Sequence, residues 1–275
     1  MGKFLMAVLQ IDSQSNKKLN LEKVDTFIDE AASHGAQFIA MPENIHYCGP
    51  KDGVFANAET IPGPMSNCFA SKAKQHGIWL HCGSIGEIIQ NESKLYNTTL
   101  LYNPQGKLAA RYEKIHMYDV DIKDGPSTRE SDTKKPGERI VVCNTDFCKV
   151  GLSICYDMRF PEIYRIMALM GAKLIFVPAN YTMFTGKDHW ECILKTRAIE
   201  NQCYIVAPAQ IGKKPAFQAY GRSMVINPWG ITTACAEDRE TIIYAEIDPD
   251  YVEQIRNQLP SLKNRHPSAY SWPIE

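Results

Sequence analysis

The stretch VGLSICYDMRFPE (150–162) sets one cysteine where an apolar run breaks into a charged turn. Cys155 follows VGLSI, precedes Asp157 and Arg159, and stands shortly before Pro161, a residue suited to the first turn of a helix. A side chain at such a strand-to-helix turn is expected to be exposed and to face backbone N–H groups, which can stabilise a thiolate and later an oxyanion. Free cysteine is also among the most buried residue types, so the turn alone leaves packing and nucleophile evenly matched. Two charged residues have comparable addresses. Glu43 in FIAMPENIHY follows an apolar strand and a proline, and Lys114 in KLAARYEKIHMYDV closes a strand before a mixed loop. Singly they read as a solvated carboxylate and a surface lysine. Together with Cys155 they make a carboxylate, an ammonium and a thiol at three strand ends.

A thiol nucleophile needs a base, and histidine is the usual one. Of the 7 histidines, His34 and His76 stand before glycine at helix ends, and His81 lies inside an apolar strand. His46, His116 and His189 remain as possible bases, which keeps a Cys–His acyltransferase or protease in play. Asp157 and Arg159 read as braces of the cysteine turn. Arg197 shares a helical stripe with Trp190, Ile193, Leu194 and Ala198 and reads as a partly buried ion pair.

Positioning these groups takes an α/β framework. Short apolar runs alternate with segments of helical period: FLMAVLQ, a helix near 20–33, QFIAM, a helix near 65–76, then IWLHCGS. In the first helix Leu21, Val24, Phe27, Ile28, Ala31 and Ala32 fall on one stripe, with Asn20 as the expected N-cap. Two antiparallel strands, KLYNTTLLYNP and KLAARYEK, are joined by Asn103-Pro104-Gln105-Gly106, and a polar loop follows. From Val150 the rhythm resumes with VGLSI, a helix opened by Pro161, AKLIFVP, a helix near 189–201, YIVAPA, and strands near 222–226 and 241–247. The late stretch YVEQIRNQLPSLKNRHPSAYSWP is mixed and Pro-containing.

HGAQFIAMPENIHY (34–47) is echoed by MGAKLIFVPANYTM (170–183), each a Gly-Ala helix end, a strand, then Pro and a polar pair. Two such halves packed sheet on sheet, helices outside, give a four-layer αββα sandwich. The expectation is one domain over residues 1–275, with the segment from about 249 to 275 packing on the sandwich or on a second subunit. Ligands of open α/β sheets meet the loops beyond the carboxyl ends of strands. Glu43, Asn180 and Tyr181 therefore point at one site, with Tyr47, Asn180 and Tyr181 as candidate substrate contacts.

Bulk properties narrow the function. With 30 basic and 31 acidic side chains the net charge is -1, so no nucleic-acid partner is expected. The 9 cysteines, an odd number without a Cys-x-x-Cys pair, suit a reducing compartment. MGKFLMAVLQID reads at once as a strand and not as a signal peptide, no run is long enough to span a membrane, and Met6 breaks the myristoylation pattern. The expectation is a cytoplasmic protein without membrane association. Neither a Gly-x-Gly-x-x-Gly nor a phosphate-loop motif follows the first strand, and neither Cys143 with Cys148 nor His81 with Cys82 has zinc-site spacing. No cofactor and no metal are expected.

The segments around Glu43, Lys114 and Cys155 resemble the three signature regions of the nitrilase, or carbon–nitrogen hydrolase, superfamily, whose fold is an αββα sandwich. The likeness runs through nearly the whole chain, in MPEN, GPSTRES, SICYDMRFPE, TGKDHWECILKTRAIENQCYIVAPAQ and YGRSMVINPWG. It looks most like the Nit branch, which contains deaminated glutathione amidases and ω-amidases, and GPSTRES and RAIENQCYIVAPAQ lean toward the former. That type usually reads Gly-Pro-Ala-His-Trp where this chain has Gly186-Lys187-Asp188-His189-Trp190, a departure next to a candidate binding loop.

By this resemblance Glu43 is the general base, Lys114 the oxyanion-stabilising cation, Cys155 the nucleophile, and Glu130 of GPSTRES a second carboxylate positioning Lys114 or substrate. Tyr156 joins the binding set through its backbone N–H, beside Lys114. The implied activity is hydrolysis of a small linear carboxamide to carboxylate and ammonia through a thioester, of the deaminated glutathione amidase type. ω-Amidase, N-carbamoyl amidase and nitrilase activities are the alternatives. A non-catalytic scaffold is disfavoured, because burying an unused Glu, Lys and thiol together costs desolvation. The resemblance also implies a homodimer joined through helices near the cysteine half and the C-terminal segment.

Overall fold

Period-two alternation along the first strand assigns the layers. In β1 (Phe4–Gln10) Phe4, Met6 and Val8 face one core while Ala7 and Leu9 face another. In the computed structural model, which describes residues 2–271, the first half continues through α1 (Lys17–Ser33), β2 (Phe38–Ala40), the short α2 (Val54–Asn57), α3 (Pro64–His76) and β3 (Trp79–His81). It then adds β4 (Ile85–Ile88), β5 (Leu95–Tyr102) and β6 (Leu108–Glu113). The polar loop holds a small hairpin, β7 (Asp119–Asp121) and β8 (Ser127–Arg129). Next come β9 (Val141–Asn144), β10 (Lys149–Leu152), α4 (Pro161–Leu169), β11 (Leu174–Phe176), α5 (Met183–Asn201) and β12 (Tyr204–Ala207). A second hairpin, β13 (Ile211–Lys213) and β14 (Gln218–Tyr220), leads to β15 (Met224–Ile226), β16 (Thr232–Cys235), β17 (Thr241–Ile247) and α6 (Pro249–Gln258).

One sheet has the order β17-β1-β2-β3-β5-β4, with β6 paired to β5, and the other β16-β15-β12-β11-β10-β9. Each is built on a parallel triplet, β1-β2-β3 or β10-β11-β12, which is the structural form of the repeated Gly-Ala-strand-Pro phrase. Phe4, Met6, Val8, Phe38 and Trp79 of the first sheet pack against Leu152, Leu174 and Phe176 of the second. The rings of Phe38 and Phe176 lie 5.2 Å apart across that interface. On the outer face of the first sheet Ala7, Leu9, Ile39 and Leu80 meet Val24, Ile28 and Ala31 of α1 and Met65, Phe69 and Ala73 of α3. Helices α4 and α5 cover the second sheet with Ile163, Met167, Trp190, Leu194 and Ala198. The fold is the α/β four-layer αββα sandwich of the nitrilase type.

Two local expectations are corrected. Helix α1 begins a turn earlier than expected because the Asn16 side chain caps it, accepting from Leu19 N at 3.1 Å. Asn20 lies inside the helix, and its buried amide donates to the carbonyls of Gln14 and His46, tying two loops together. Helix α5 starts at Met183, capped by Thr182, and Gly186 in its first turn lets Tyr220 pack where a β-carbon would come within 2.5 Å of the ring. The mixed stretch after Asp248 contains α6, because Asp248 caps it and Pro249 suits its first position. Val252 and Ile255 of α6 are buried, and Arg256 donates to the carbonyls of Gln202 and Ala172. The end of the 249–275 segment, from Trp272 on, lies outside the described residues. Among the described residues no helix is long and apolar enough to cross a membrane, and no cluster of three or more metal-ligating side chains occurs.

Candidate active site

Glu43 leaves the first sheet just past β2, Cys155 and Asn180 leave the second past β10 and β11, and Lys114 follows β6. Their loops converge. Backbone conformation fixes two of these side chains. Asn44 takes the left-handed region at φ 55, with its N–H held by Ser84 Oγ at 3.0 Å, and so turns the chain directly after Glu43. Cys155 is itself left-handed at φ 48, a conformation that strains a residue bearing a β-carbon. Its N–H is held by the carbonyl of Pro178 at 2.9 Å. Asp157 clamps the turn, accepting from the Ile154 N–H at 2.8 Å, the Tyr112 hydroxyl at 2.6 Å and the His116 N–H at 3.0 Å.

The centre of the site is a buried ion cluster. Lys114 Nζ lies 2.7 Å from Glu130 Oε2 and 3.4 Å from Glu43 Oε1, and the lysine is 1 % exposed. Glu43 Oε2 accepts from the Asn180 N–H at 2.8 Å, so the polar residues of the two echoed phrases meet here. Glu130 Oε2 also accepts from the Tyr118 N–H at 2.8 Å. Asn97, in the middle of β5, donates its amide to Glu43 at 2.9 Å and to Glu130 at 3.3 Å. Sequence reading missed Asn97. Its signal was an asparagine inside LYNTTLLY, a type depleted from strands.

Charge and burial set the protonation states. Burial by itself would lower the Lys114 pKa, but Glu130, Glu43 and Cys155 outweigh it and hold the ammonium well above the usual lysine range. Glu130 is likewise pushed upward by burial and pulled further down by the Lys114 charge and by its donors, so it stays a carboxylate. Burial and then the Glu43 charge drive the Cys155 thiol well above its ordinary pKa, against the partial relief of Lys114 and the Asn180 N–H. The expected exposure of Cys155 is therefore corrected: at 8 % exposure it sits in the apolar core of the sandwich, closed in by the loops around it, and rests as a thiol.

Among the described residues no histidine hydrogen-bonds that thiol. His46 Nε2 accepts from the Gly86 N–H, the His116 ring bonds Asp157 at 2.8 Å and stacks on Phe160, and His189 faces Arg159. Arg159 also donates to the Tyr181 hydroxyl. Arg197 binds the Met158 carbonyl at 2.9 Å and Glu200 at 2.7 Å, away from the cluster.

A cavity of about 970 Å³ opens over the cluster and is lined by Glu43, Lys114, Glu130 and Cys155 together with Tyr47, Tyr156, Asn180 and Tyr181. The β7–β8 hairpin, the first turn of α5 and the loop 214–218 form its walls. Tyr47 donates its hydroxyl to the Pro50 carbonyl at 2.8 Å and presents its ring. Asn180 keeps a buried side-chain oxygen without a partner, a free acceptor for a ligand N–H. Lys187 reaches the rim, mostly exposed and 3.8 Å from Asp188.

A profile of the carbon–nitrogen hydrolase family matches residues 5–257. The chain is 39% identical over 269 residues to the deaminated glutathione amidase of Synechocystis sp., covering 96% of this chain and 99% of that protein. It is 38% identical over 275 residues to the ω-amidase NIT2 of Danio rerio, covering 98% of each. The solved NitFhit protein of C. elegans superposes with a TM-score of 0.91 at 33% identity, covering 98% of this chain and 67% of that one.

The electrostatics of the thiol give a test of opposite signs. Glu43→Gln removes a repelling charge and moves the Cys155 thiol titration to lower pH, whereas Lys114→Met removes an attracting one and moves it higher. Thiolate absorbance near 240 nm, taken as a difference from Cys155→Ala, reads both. Shifts in the same direction for the two variants would contradict the arrangement.

Proposed function

The chain belongs to the carbon–nitrogen hydrolase family, and from that premise we propose that Cys155, Glu43, Lys114 and Glu130 are the working residues of its amidase activity. The observation that carries the reading is the convergence of a thiol, a carboxylate and a doubly paired ammonium on one cavity of about 970 Å³. Because the thiol rests protonated, Glu43 takes its proton as sulfur attacks the amide carbon. The carbonyl oxygen becomes an oxyanion held by Lys114 Nζ and the Tyr156 N–H. Glu43 passes the proton to the departing nitrogen, the C–N bond breaks, and the acyl group remains as a thioester. Water then gives a proton to Glu43 and attacks the thioester carbon. The C–S bond breaks, the sulfur regains its proton, and the carboxylate product leaves. Glu130 keeps Lys114 charged and in place throughout. Tyr47 and Tyr181 wall the acyl group, and the Asn180 side-chain oxygen receives a substrate N–H.

For substrate we infer deaminated glutathione, since the cavity has room for a molecule of tripeptide size. The second reading is an ω-amidase acting on α-ketoglutaramate, favoured by near-equal identity to a relative of that name. Leaving groups separate them: deaminated glutathione has no free carboxamide and releases an amine, so the ammonia expected from the sequence belongs to a terminal carboxamide and the expectation is corrected for the first substrate. N-carbamoyl compounds and nitriles belong in the same panel as lesser alternatives. The 9 free thiols favour a reducing compartment, and the reading includes a cytoplasmic location. It also includes a homodimer, supported by the exposed apolar side chains of Ile166 and Leu169 on α4, Met170 just after it, and Ile199 on α5.

Amine and ammonia release are measured for both substrates with the native chain. Cys155→Ala is expected to lose at least about 10⁴-fold in rate and Lys114→Met about 10²–10³-fold. Activity surviving in Cys155→Ala would remove the cysteine mechanism. A rate on α-ketoglutaramate far above that on deaminated glutathione would move the assignment to ω-amidase. Sedimentation at micromolar concentration is expected to give a dimer, and a monomer would refute that part.

A further inference from the structure

Gln210 stands where the ends of the two sheets meet. Its N–H donates to the Ala179 carbonyl at 2.9 Å, past β11 of one sheet, and the next N–H, of Ile211, donates to the Ile11 carbonyl at 3.0 Å, past β1 of the other. The Gln210 side chain is fully buried, and all four of its hydrogen-bonding positions are filled. Oε1 accepts from the Ser13 N–H at 2.9 Å and from Lys214 Nζ at 3.1 Å. Nε2 donates to Ser13 Oγ at 2.9 Å and to the Glu43 carbonyl at 3.0 Å. This amide has one workable orientation. An ammonium and a backbone N–H, which can only donate, face its oxygen, while the Ser13 hydroxyl proton is already spent on the Ile45 carbonyl. A flipped amide would set donor against donor and oxygen against the Glu43 carbonyl.

Two contacts of Gln210 bear on the carboxylate beside the thiol. Its side chain fixes the Glu43 backbone just before the left-handed turn at Asn44. Its own N–H fixes the Ala179–Asn180 peptide by the carbonyl, and the N–H of that same peptide holds Glu43 Oε2 at 2.8 Å. Because a peptide unit is planar, pinning its oxygen aims its N–H. Glu43 is therefore held at both ends, the main chain by the Gln210 amide and the carboxylate through a peptide that Gln210 pins. Lys214 locks the device. Buried among Gln210, Asp12 at 2.7 Å and the Ser13 carbonyl at 2.8 Å, it opens the 214–218 loop that walls the cavity.

We propose that Gln210 is the positioning residue of Glu43, with Lys214 as the lock on its amide, and that the pair holds the carboxylate where it exchanges a proton with Cys155. That role rests on Glu43 being the general base and adds the group that aims it. Misplacing such a base by about 1 Å can cost about 10²-fold in rate while the other walls of the cavity still bind substrate.

Gln210→Met keeps the length of the side chain and removes the amide. Gln210→Glu keeps an acceptor for Ser13 and Lys214 but turns a second oxygen toward the Glu43 carbonyl. Thermal melting checks that each folds, and where Gln210→Met does not, Gln210→Glu, its added charge paired to Lys214, carries the measurements. In amide hydrolysis kcat is expected to fall about 10–100-fold with KM changed by less than about twofold. In a Glu43→Gln background the same replacement is expected to lower the residual kcat by less than about twofold, since no carboxylate is left to aim. Without any amide present, the Cys155 thiol titration should fall between those of the native chain and Glu43→Gln, because a released carboxylate bears less on the sulfur. An equal kcat loss in both backgrounds, a loss confined to KM, or a thiol titration like that of the native chain would overturn the role. Hydrolysis of no amide by the native chain, with the intermediate titration present, would remove the amidase reading while upholding the aiming of Glu43 by Gln210.

Discussion

A lysine ammonium buried between two carboxylates is the constraint that orders this molecule. Lys114 is almost without solvent, and its attraction to Glu43 and Glu130 must offset the desolvation of three charges. Such clusters are rarely the most stable filling for an interior; well-packed apolar side chains serve the fold as well or better. Keeping one requires every remaining lone pair to be answered. The Asn180 N–H answers Glu43, the Tyr118 N–H answers Glu130, and Asn97 answers both. Those donors come from different loops and from both sheets, so the sandwich must hold its two halves in fixed register for the cluster to exist.

The thiol is shaped by the same charges. A carboxylate beside a buried sulfur raises the cost of a thiolate, and one lysine shared between two carboxylates gives only partial relief. In the proposed mechanism this makes the nucleophile conditional: it is generated when an amide carbon is there to receive the electron pair and Glu43 to receive the proton. A left-handed backbone at Cys155 aims the side chain, and Asp157 beneath the turn holds it against that strain.

Much of this was legible in the chain. The repeated Gly-Ala-strand-Pro phrase became two parallel triplets, and its polar residues meet as Glu43 and Asn180, because equivalent loops leave equivalent strand ends. Local competition hid other features. Asn16 and Asn20 are both good capping residues, and only tertiary structure shows that Asn20 is used to tie loops. Helix α6 has too short an apolar stripe to stand out, since Val252 and Ile255 gain meaning only from the surface they meet. The expected exposure of Cys155 failed because a turn says nothing of the loops that close over it. Asn97 escaped because a polar residue in a strand announces a site only when its partners are known.

The central claim is that acyl transfer passes through the sulfur of Cys155. The most direct measurement is acid quench of the native chain during turnover of α-ketoglutaramate, followed by mass spectrometry of the tryptic peptide Val150–Arg159. The expected result is a peptide heavier by the acyl group, localised to Cys155 and lost on treatment with hydroxylamine. Full turnover with that peptide unmodified at every quench time, or the acyl group found on another residue, would contradict it.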